Sequence, residues 1–444
     1  MVSGKESSQL LDDILFPKIF RAFRMSIQPT KLIITVLALA VICLAGWIMD
    51  FSKTVVVTQG SQEKISELDV YMANSQQLKS YIEGFQQNGQ GVGVFSTLWH
   101  FSAGKFQGAV DSVLVLNISG VKENITDYFR ALEWALRNHF VYCIIFFVIT
   151  LSVISIAGGA ICRIAALQFA GGEKPGLTEA LRFSSKKFTS FFTAPLAPIL
   201  IIIFVGFFIF LLGLIGNIPR AGELIVGIGM PLALFAGVLI VVILIGAVAG
   251  LNLMFPAVAY DGSDCFDAIS RSFSYVYAKP WRMVFYTVIA AVYGSICYTF
   301  VRFFAFLLLC TTRWFLQLGL WVDNSVQEVN KLTAIWPKPE FKDLLGSSEL
   351  SITNWTESLA AFLIYLFLLV VVGLVVSFII SFYFSANTII YSLMRKKVDN
   401  TALEDIHIYF GEANVEPTTP EPLPQEEQQA LESESQPDSS SSDQ

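Results

Sequence analysis

The chain alternates between long apolar runs and polar segments. A helix that crosses the ~30 Å hydrocarbon layer of a membrane needs about 20 predominantly apolar residues. Six runs meet this length, at 32–49, 140–161, 191–215, 225–259, 283–310 and 359–389. The pattern predicts an all-α polytopic membrane protein with six transmembrane helices, the second to fifth within residues 139–310. The fourth run exceeds one crossing and contains Pro231 and Pro256, so we expect kinks or interfacial ends there.

The first polar segment, residues 1–31, is amphipathic. Its apolar positions lie beside Lys18, Arg21 and Arg24, which is typical of a helix in the cytoplasmic membrane interface. A helix packed on the inner face of the protein's own bundle fits the pattern equally well. The apolar stripe consists of Leu10, Leu11, Ile14, Leu15, Ile19, Phe20 and Phe23.

Residues 50–138 are too many for a turn and are predicted to form a small extracytoplasmic domain. Apolar residues recur at spacings of three and four from Ile65 to Phe85, which predicts one amphipathic helix. A glycine-rich stretch at 89–95 interrupts this pattern, and a second helical pattern at 125–136 leads into the second span. A further extracytoplasmic segment is predicted at 311–358.

The polar connections after the second and fourth spans are related to each other. At an offset of 88 positions, Glu179 matches Asp267 and Ser184 matches Ser272. Each connection offers acids, begins a helix, ends in basic residues and re-enters the membrane. We therefore predict a duplicated hairpin, in which spans two and three match spans four and five as parallel repeats.

The second of these connections reads SDCFDAISRSFSYVYAKPW at 263–281 and is rich in polar residues. Asp264 is a candidate helix N-cap, and Asp267 would complete a box-like pair of acids on the first amides. Trp281 would anchor the re-entry into the membrane. Because no base neighbours Ser272 and no G-x-S-x-G elbow occurs, we interpret this connection as an interfacial helix rather than an active site.

Basic residues predict the orientation of the spans. Sixteen Lys and Arg fall in 1–31, 161–190, 260–282 and 390–400, against twelve in the longer segments of the other side. Cytoplasmic segments carry the excess of such residues, so both termini are predicted to be cytoplasmic. The juxtamembrane segment 390–411 contains VDNTALEDI at 398–406. A short helix beneath the sixth span is favoured there over a motif that docks on another protein.

Composition agrees with a membrane protein and localises the negative charge. Hydrophobic residues make up 54% of the chain and charged residues 15%, whereas soluble domains carry about 25% charged residues. The net charge of -7 comes from residues 412–444, which hold nine acids and no Lys or Arg. This tail is predicted to be disordered, and no nucleic-acid partner is indicated.

The residues that usually bind metals or form disulfides are scattered. The three histidines and six cysteines are far apart in the sequence and form no C-x-x-C pair. The sequence therefore predicts no disulfide framework, no metal site and no cofactor.

Charged residues are rare within the predicted spans. No Asp, Glu or Lys lies deep in any run, which argues against proton- or sodium-coupled transport. Arg302 is expected near the outer interface, where it can snorkel, and Arg163 at an inner end. The candidate interfacial or interaction positions are Arg163, Glu179, Asp261, Asp264, Asp267, Arg271, Trp281 and Arg302.

Several stretches of the chain resemble one family. They are GGAICRIAALQFA at 158–170, EALRFSSKKFTSFFTAPLAP at 179–198, DGSDCFDAISRSFSYVYAKP at 261–280 and IIYSLMRKKVDNTALEDI at 389–406. Together they resemble an uncharacterised family of six-span bacterial membrane proteins of planctomycete type. The resemblance implies an inner-membrane location in a bacterium and implies no activity.

Two functions remain open. The first is a non-enzymatic envelope scaffold that binds partners through the outer domain and the cytoplasmic helices. The second is an uncoupled channel, lipid transporter or exporter subunit with a path between the two repeats. The predicted partners are the lipid bilayer and either other proteins or further copies of the chain.

Overall fold

The computed structural model describes residues 15–59, 64–85, 90–319, 331–341, 343–346 and 354–406. The predicted acidic tail, the first part of the N-terminal apolar stripe and part of segment 311–358 lie outside these residues. The strands are β1 (Val55–Gln59), β2 (Lys64–Ser66) and β3 (Gln90–Val92). The helices are α1 (Arg21–Ser26), α2 (Pro29–Asp50), α3 (Glu67–Ala73), α4 (Leu78–Phe85), α5 (Val94–Leu114), α6 (Ile118–Asn138), α7 (Phe140–Ala170), α8 (Leu177–Lys186), α9 (Phe188–Thr193), α10 (Leu196–Gly216), α11 (Gly222–Asp261), α12 (Cys265–Ala278), α13 (Pro280–Gly319), α14 (Lys331–Ile335) and α15 (Trp355–Val398).

Six of these helices are long and apolar enough to cross a membrane, namely α2, α7, α10, α11, α13 and α15. Each contains most or all of one predicted run, so the prediction of six transmembrane helices is confirmed. The chain is a multi-pass membrane protein. Several helices extend beyond the apolar runs; α13, for example, has 40 residues and would measure about 60 Å. Such lengths leave polar helix ends outside the hydrocarbon layer.

Proline acts differently in the third and fourth runs. In the third run, α9 ends at Thr193 and α10 begins at Leu196, and Pro195 occupies the position just before α10. In the fourth run, α11 continues through both Pro231 and Pro256. A proline removes one backbone hydrogen bond, and neighbouring helices in a membrane protein can compensate for this loss.

The connections of the six long helices fall on two sides of the bundle. We call the side that carries residues 51–139, 217–221 and the described part of 320–354 the sheet side. The opposite side, with residues 171–195, 262–279 and 399–406, is the ledge side. These names refer to the molecule alone and do not assign a membrane face.

The sheet side contains a β-sheet, which corrects the all-α prediction. The sheet has the order β2-β1-β3, and both pairs of strands are antiparallel. The strands are short and rich in valine, and they lie between polar stretches that were not recognised as strand boundaries. Short runs of this kind are ambiguous between helix and strand in a single sequence.

The single helix predicted from Ile65 to Phe85 is wrong. The structure has β2, then α3 and α4, with a break at 74–77. Ser66 and Asp69 form a capping box at the start of α3. Asn74 ends this helix in an extended conformation, and its side chain accepts a hydrogen bond from the Gln76 amide at 3.0 Å. Asparagine competes with helical backbone bonds in this way, and it divides an otherwise continuous pattern.

The sheet-side domain packs around one apolar cluster that includes Val55, Leu68, Tyr71 and Trp134. Asp50, the last residue of α2, attaches this domain to the spans. Its carboxylate accepts hydrogen bonds at 2.9 Å from the backbone amides of Phe95 and Ser96 in the first turn of α5. It also accepts one from the Tyr142 hydroxyl of α7 at 3.1 Å.

The N-terminal segment packs against the bundle. A 3-10 helix at Phe16–Phe20 precedes α1, and Ile19 is fully buried. The Phe16 ring lies 5.9 Å from Phe285 of α13, and the Phe23 ring lies 5.8 Å from Phe378 of α15. Of the two positions open for this segment, the described part occupies the one against the protein's own helices.

The two predicted repeats share local features. Ser184 and Ser272 are both fully buried. Ser184 donates to the backbone of α7, while Ser272 packs beside Gly250 of α11. In both connections a serine therefore faces the helix that precedes it. The duplication itself stays a prediction.

Candidate functional site

Asp261 is the centre of a charged cluster on the ledge side. It is the last residue of α11, and its side chain is only 8% exposed. One carboxylate oxygen accepts a hydrogen bond from Arg271 Nη1 at 3.2 Å and another from the Tyr391 hydroxyl. The other oxygen lies 3.3 Å from Arg395 Nε, without the alignment of a hydrogen bond. Two guanidinium groups thus compensate this buried carboxylate.

Residues 399–406 are held against the bundle by the same cluster. Arg395 donates to the backbone oxygen of Asp405 at 2.5 Å, and it lies 3.3 Å from the carboxylate of that residue. The Tyr275 hydroxyl of α12 donates to Asp399 at 2.5 Å. No helix forms over these residues, so the predicted short helix is wrong. Their position beneath the sixth span agrees with the prediction.

The pKa shifts in this cluster favour a structural role. Burial raises the pKa of Tyr275, and the hydrogen bond to Asp399 raises it further. Burial by itself would lower the pKa of Arg271, but Asp261 and Asp267 outweigh it and raise that pKa. Tyr275 therefore stays neutral and Arg271 stays charged. Neither group is suited to exchange a proton near neutral pH, as a general acid or base must.

Asp264 and Asp267 do not form the predicted capping pair. Asp264 does occupy the N-cap position of α12, but its side chain makes no capping hydrogen bond and is largely exposed. It lies 3.7 Å from Lys187. Asp267 instead pairs with Arg271 one turn further along, at 3.1 Å. An arginine four residues later competes for the carboxylate that would otherwise bind the first amides.

Arg163 is fully buried near this cluster, whereas the structure shows no contact of Glu179 with the cluster among the described residues. Arg163 Nη1 donates to the backbone oxygen of Ala259 at 2.9 Å, which connects α7 to the end of α11. Its guanidinium also lies 4.6 Å from the centre of the Phe183 ring in α8. Glu179 is half-buried in the first turn of α8. The sequence predicts Arg163 at the inner end of a helix. It does not predict that the Arg163 side chain is fully buried.

Trp281 and Arg302 are on α13, apart from the ledge-side cluster. Trp281 is 84% exposed in the first turn of α13, as expected of an interfacial anchor. Arg302 donates to Gln107 of α5 and to Tyr298, both at 2.5 Å, and to the Phe341 carbonyl at 2.9 Å. The Arg302 guanidinium, which was expected to snorkel, is thus hydrogen-bonded to other groups of the protein.

Lys31 is a buried cation that sequence reasoning did not single out. It lies in the first turn of α2 and is fully buried. Its ammonium group donates to Gln168 of α7 at 3.2 Å and to Ser385 of α15 at 3.3 Å. Two neutral oxygens therefore solvate it where the three helices meet. In the sequence it was counted only as one of the basic residues before the first span.

A cleft of about 370 Å³ lies between α13, α15 and the hairpin formed by α5 and α6. Its walls include Ala291 and Gly294 of α13, Phe378 and Phe382 of α15, and Val113 at the end of α5. The lining is almost entirely apolar, and none of the lining residues carries a charge. Its volume falls within the range of about 300–1,000 Å³ that is typical of small-molecule sites.

The cleft is elongated along the helices. It extends on α13 from Thr287 to Tyr298 and on α15 from Phe378 to Ile390. At a rise of ~1.5 Å per residue these stretches measure roughly 16–18 Å. This length is close to half of the ~30 Å hydrocarbon layer, which is the thickness of one leaflet.

The polar side chains that line the cleft are Asn252, Thr287, Ser295, Tyr298, Tyr383 and Asn387. Asn252 is the one lining residue from α11, and its oxygen accepts a hydrogen bond from Tyr383 at 2.5 Å. Asn387 of α15 is buried, and the structure gives its side chain no hydrogen bond among the described residues. An amide in an apolar cleft can bond a polar group of a ligand.

From the sequence both asparagines are interpreted as helix-packing residues, so this site was missed. Each is an amide side chain within an apolar run, a pattern that more often indicates hydrogen bonding between helices. The available signal was the presence of one such residue in each of two spans. Only the packing of α11 beside α15 shows that both line one cleft.

The described residues contain no group of three or more His, Cys, Asp or Glu that could hold a metal ion. Comparisons of the chain with models of protein families, with curated proteins and with solved structures find no match. The cleft, the charged cluster and the exposed apolar surface are therefore the features of the molecule that bear on its function.

Proposed function

We propose that the protein binds an acyl or similar hydrocarbon chain of a membrane lipid in the cleft, without covalent chemistry. The observation that carries this proposal is an elongated apolar cleft among helices that are long enough to span a membrane. The surrounding solvent of such a cleft is lipid. Its length of roughly one leaflet matches a lipid chain better than a compact solute.

The lining favours a lipid over an ion or a charged solute. An ion in a membrane path needs oxygen ligands or compensating charges, and the cleft offers mainly apolar side chains. Asn252 and Asn387 would bond a hydroxyl or carbonyl group on the ligand. Binding would therefore be uncoupled from proton or sodium gradients, in agreement with the lipid transporter that the sequence leaves open. The cleft is at a different place from the path between the repeats that the sequence predicts.

The test is lipid binding to a variant with a filled cleft. Ala291→Phe places a ring in the cleft at a position that is exposed enough to accept it. Val288→Phe is the matched control, because Val288 is on the same helix, is exposed, and does not line the cleft. We expect the motionally restricted component of spin-labelled lipids in nanodiscs to fall for Ala291→Phe alone. Equal spectra for both variants and the wild type would reject the proposal.

A second assay separates binding from movement. Proteoliposomes that contain a fluorescent lipid analogue report transfer between leaflets when a reductant is added outside. Transfer that Ala291→Phe abolishes and Val288→Phe retains would make the protein a lipid transporter. Binding without transfer would leave it a lipid-binding protein, with the lipid as a structural or regulatory ligand.

We further propose that the protein is in the inner membrane of a bacterium, with both termini in the cytoplasm. The excess of Lys and Arg in the ledge-side connections motivates this orientation. Alkaline phosphatase fused within the sheet-side connection at 217–221 should be active, and the same fusion after residue 406 should be inactive. The reverse pattern would invert the orientation.

The second candidate is the scaffold that the sequence also predicts. One observation favours it: α10 buries only Pro198, and α11 buries no residue from Glu223 to Ile245. Over this length α10 and α11 contact mainly each other, and their outer surface is available to a second copy of the chain. Mass photometry in native nanodiscs tests this, and a uniform monomer would argue against it.

A further inference from the structure

The turn that joins α5 to α6 is strongly apolar and exposed. Residues 113–118 read VLVLNI, and Val115, Leu116 and Ile118 are each at least 74% exposed. A soluble domain rarely exposes several large apolar residues in succession, and such a patch marks a site that another surface covers. We refer to residues 113–118 as the tip.

An apolar stripe continues from the tip along α6. Ile118, Ile125, Phe129 and Leu136 are exposed and follow one another at helical spacings of seven, four and seven. Glu123 and Arg130 are on the polar side of the same helix and are also exposed. A helix with one exposed apolar stripe and one polar face is typical of an element that lies against a bilayer.

The hairpin is at the level of the spans and does not stand clear of them. The Phe106 ring of α5 lies 5.5 Å from the ring of Tyr298, which is within the predicted span at 283–310. Val113 and Val121 line the cleft together with Ala291 of that span. Val113 is the first residue of the tip, so the tip is beside residues that themselves belong to the apolar layer.

The backbone of the tip meets the requirement for contact with lipid. Hydrocarbon offers no hydrogen-bond partners, so amides there must be bonded within the protein. The amide of Val115 donates to Asp111 at 3.2 Å, that of Leu116 to Val113 at 3.1 Å, and that of Asn117 to Ser112 at 2.8 Å, each to a backbone oxygen. The three amides of the turn at 115–117 are therefore bonded within the protein.

Several polar side chains of the hairpin bond one another. Lys105 of α5 pairs with Asp127 of α6 at 2.6 Å. The Asn117 side chain accepts a hydrogen bond from the Gly120 amide at 3.1 Å, and Asn124 donates to the Gly120 carbonyl at 2.8 Å. These bonds reduce the cost of placing the hairpin against hydrocarbon.

From these observations we infer that the α5–α6 hairpin is a re-entrant element whose tip and apolar stripe contact the acyl chains of the bilayer that holds the spans. The inferred partner is the lipid phase itself. This inference does not depend on what the cleft binds. It changes the view of residues 50–138 from a soluble outer domain to a domain with one membrane-embedded arm.

Site-directed spin labelling tests the inference in nanodiscs that contain the full chain. A cysteine at Leu116, in a background with the six native cysteines replaced, should be relaxed by oxygen and protected from a water-soluble nickel chelate. Glu123→Cys, on the polar face of α6, is the matched control and should show the opposite preference. Equal access of the nickel chelate to both positions would overturn the inference.

A second measurement uses the wild-type chain, in case the cysteine-free background does not fold. A lipid-soluble photoactivated probe is dissolved in the bilayer, and labelled peptides are identified by mass spectrometry. The peptide that contains the tip should carry label at a level similar to peptides from α10, while the peptide over α4 should carry none. A tip without label would overturn the inference. If the tip were protected both from the lipid-soluble probe and from the water-soluble nickel chelate, a protein surface would cover it instead.

Discussion

The two ends of the helix bundle are built in different ways. Toward the ledge side, α7, α11 and α15 bury nearly every residue over 157–170, 253–260 and 384–395. Toward the sheet side, the first half of α11 and its neighbour α10 bury almost nothing within the protein. The packed end contains the charged cluster, and the candidate ligand site lies along its edge, between the ledge-side halves of α13 and α15 and the α5–α6 hairpin.

The comparison shows how a membrane protein divides stability from ligand access. Small residues allow helices in a membrane to approach closely and pack by van der Waals contact, and the packed end is rich in Gly, Ala and Ser. The open end exposes large apolar side chains, which lipid solvates at no cost. A lipid chain can enter only where helices are not already in close contact, so the cleft opens where α13 and α15 meet the α5–α6 hairpin rather than among α7, α11 and α15.

The largest expected effect is at the packed end. Asp261→Asn removes the carboxylate that faces Arg271 and Arg395 and leaves two partly buried cations without it. Breaking a buried charge pair in this way typically costs about 3–5 kcal/mol, and we expect a loss of this size in the free energy of unfolding. Unfolding in mixed micelles with a denaturing detergent measures it.

Asp267→Asn is the matched control for that substitution. It removes an exposed carboxylate that pairs with Arg271, and exposed ion pairs contribute about 0–1 kcal/mol to stability. If both variants lost the same free energy of unfolding, the cluster around Asp261 would not stabilise the packed end.

The next effect is at Tyr275. Tyr275→Phe removes the hydrogen bond to Asp399, and hydrogen bonds to charged groups contribute about 1.5–3 kcal/mol. The pKa of Tyr275 is raised in the folded protein. The stability that Tyr275 contributes is therefore fully present below the pKa of about 10 that it has in the unfolded chain. This stability is lost as the pH rises through the higher pKa of Tyr275 in the folded protein.

Unfolding of Tyr275→Phe and the wild type at several pH values measures this effect. The difference between the two should be constant near neutral pH and should narrow above pH 10, because only the wild type ionises a tyrosine at this position. A difference that does not depend on pH up to and beyond this range would contradict the proposed environment of Tyr275.

Close helix packing is tested at Gly159 of α7. A Cβ atom there would lie 2.5 Å from the Ser184 hydroxyl and 2.7 Å from the Phe191 ring, so these neighbours must shift. Overpacking of this kind typically costs about 1–3 kcal/mol, and Gly159→Ala should lower the free energy of unfolding by that amount.

Gly227→Ala of α11 is the corresponding change at the open end. A Cβ atom there meets nothing within 4 Å, and alanine favours a helix over glycine by roughly 0.5–1 kcal/mol. This variant should be as stable as the wild type or more so. A similar loss in both variants would contradict the difference between the two ends.

The smallest effect on stability is expected in the cleft. Ala291→Phe should change the free energy of unfolding by no more than about 0.5 kcal/mol, as is usual for substitutions away from packed sites. The same variant is expected to lose bound lipid. A large loss of stability would show that the cleft is packed more tightly than in this structure. Lipid binding would then be measured with a smaller substitution, Ala291→Val.

The sequence identified the long helices well and the small elements poorly. Runs of about 20 apolar residues have one common explanation, whereas the pattern from Ile65 to Phe85 fits one helix or two. The three strands of the sheet-side domain were missed because their pairing joins residues that are distant in the chain. In the same way, Asp264 and Asp267 satisfied a capping pattern, but Arg271 binds Asp267 in the folded protein.

By itself the sequence determined the number of spans, their approximate limits and the concentration of acidic residues in the tail, because each depends on local composition. The tertiary structure decided that Asp261 faces Arg395, that Asn252 and Asn387 line one cleft, and that the tip of the α5–α6 hairpin is beside the spans. These are contacts between helices far apart in the chain, and the same apolar pattern permits many rotations of each helix about its axis. Only packing of the whole bundle selects one of them.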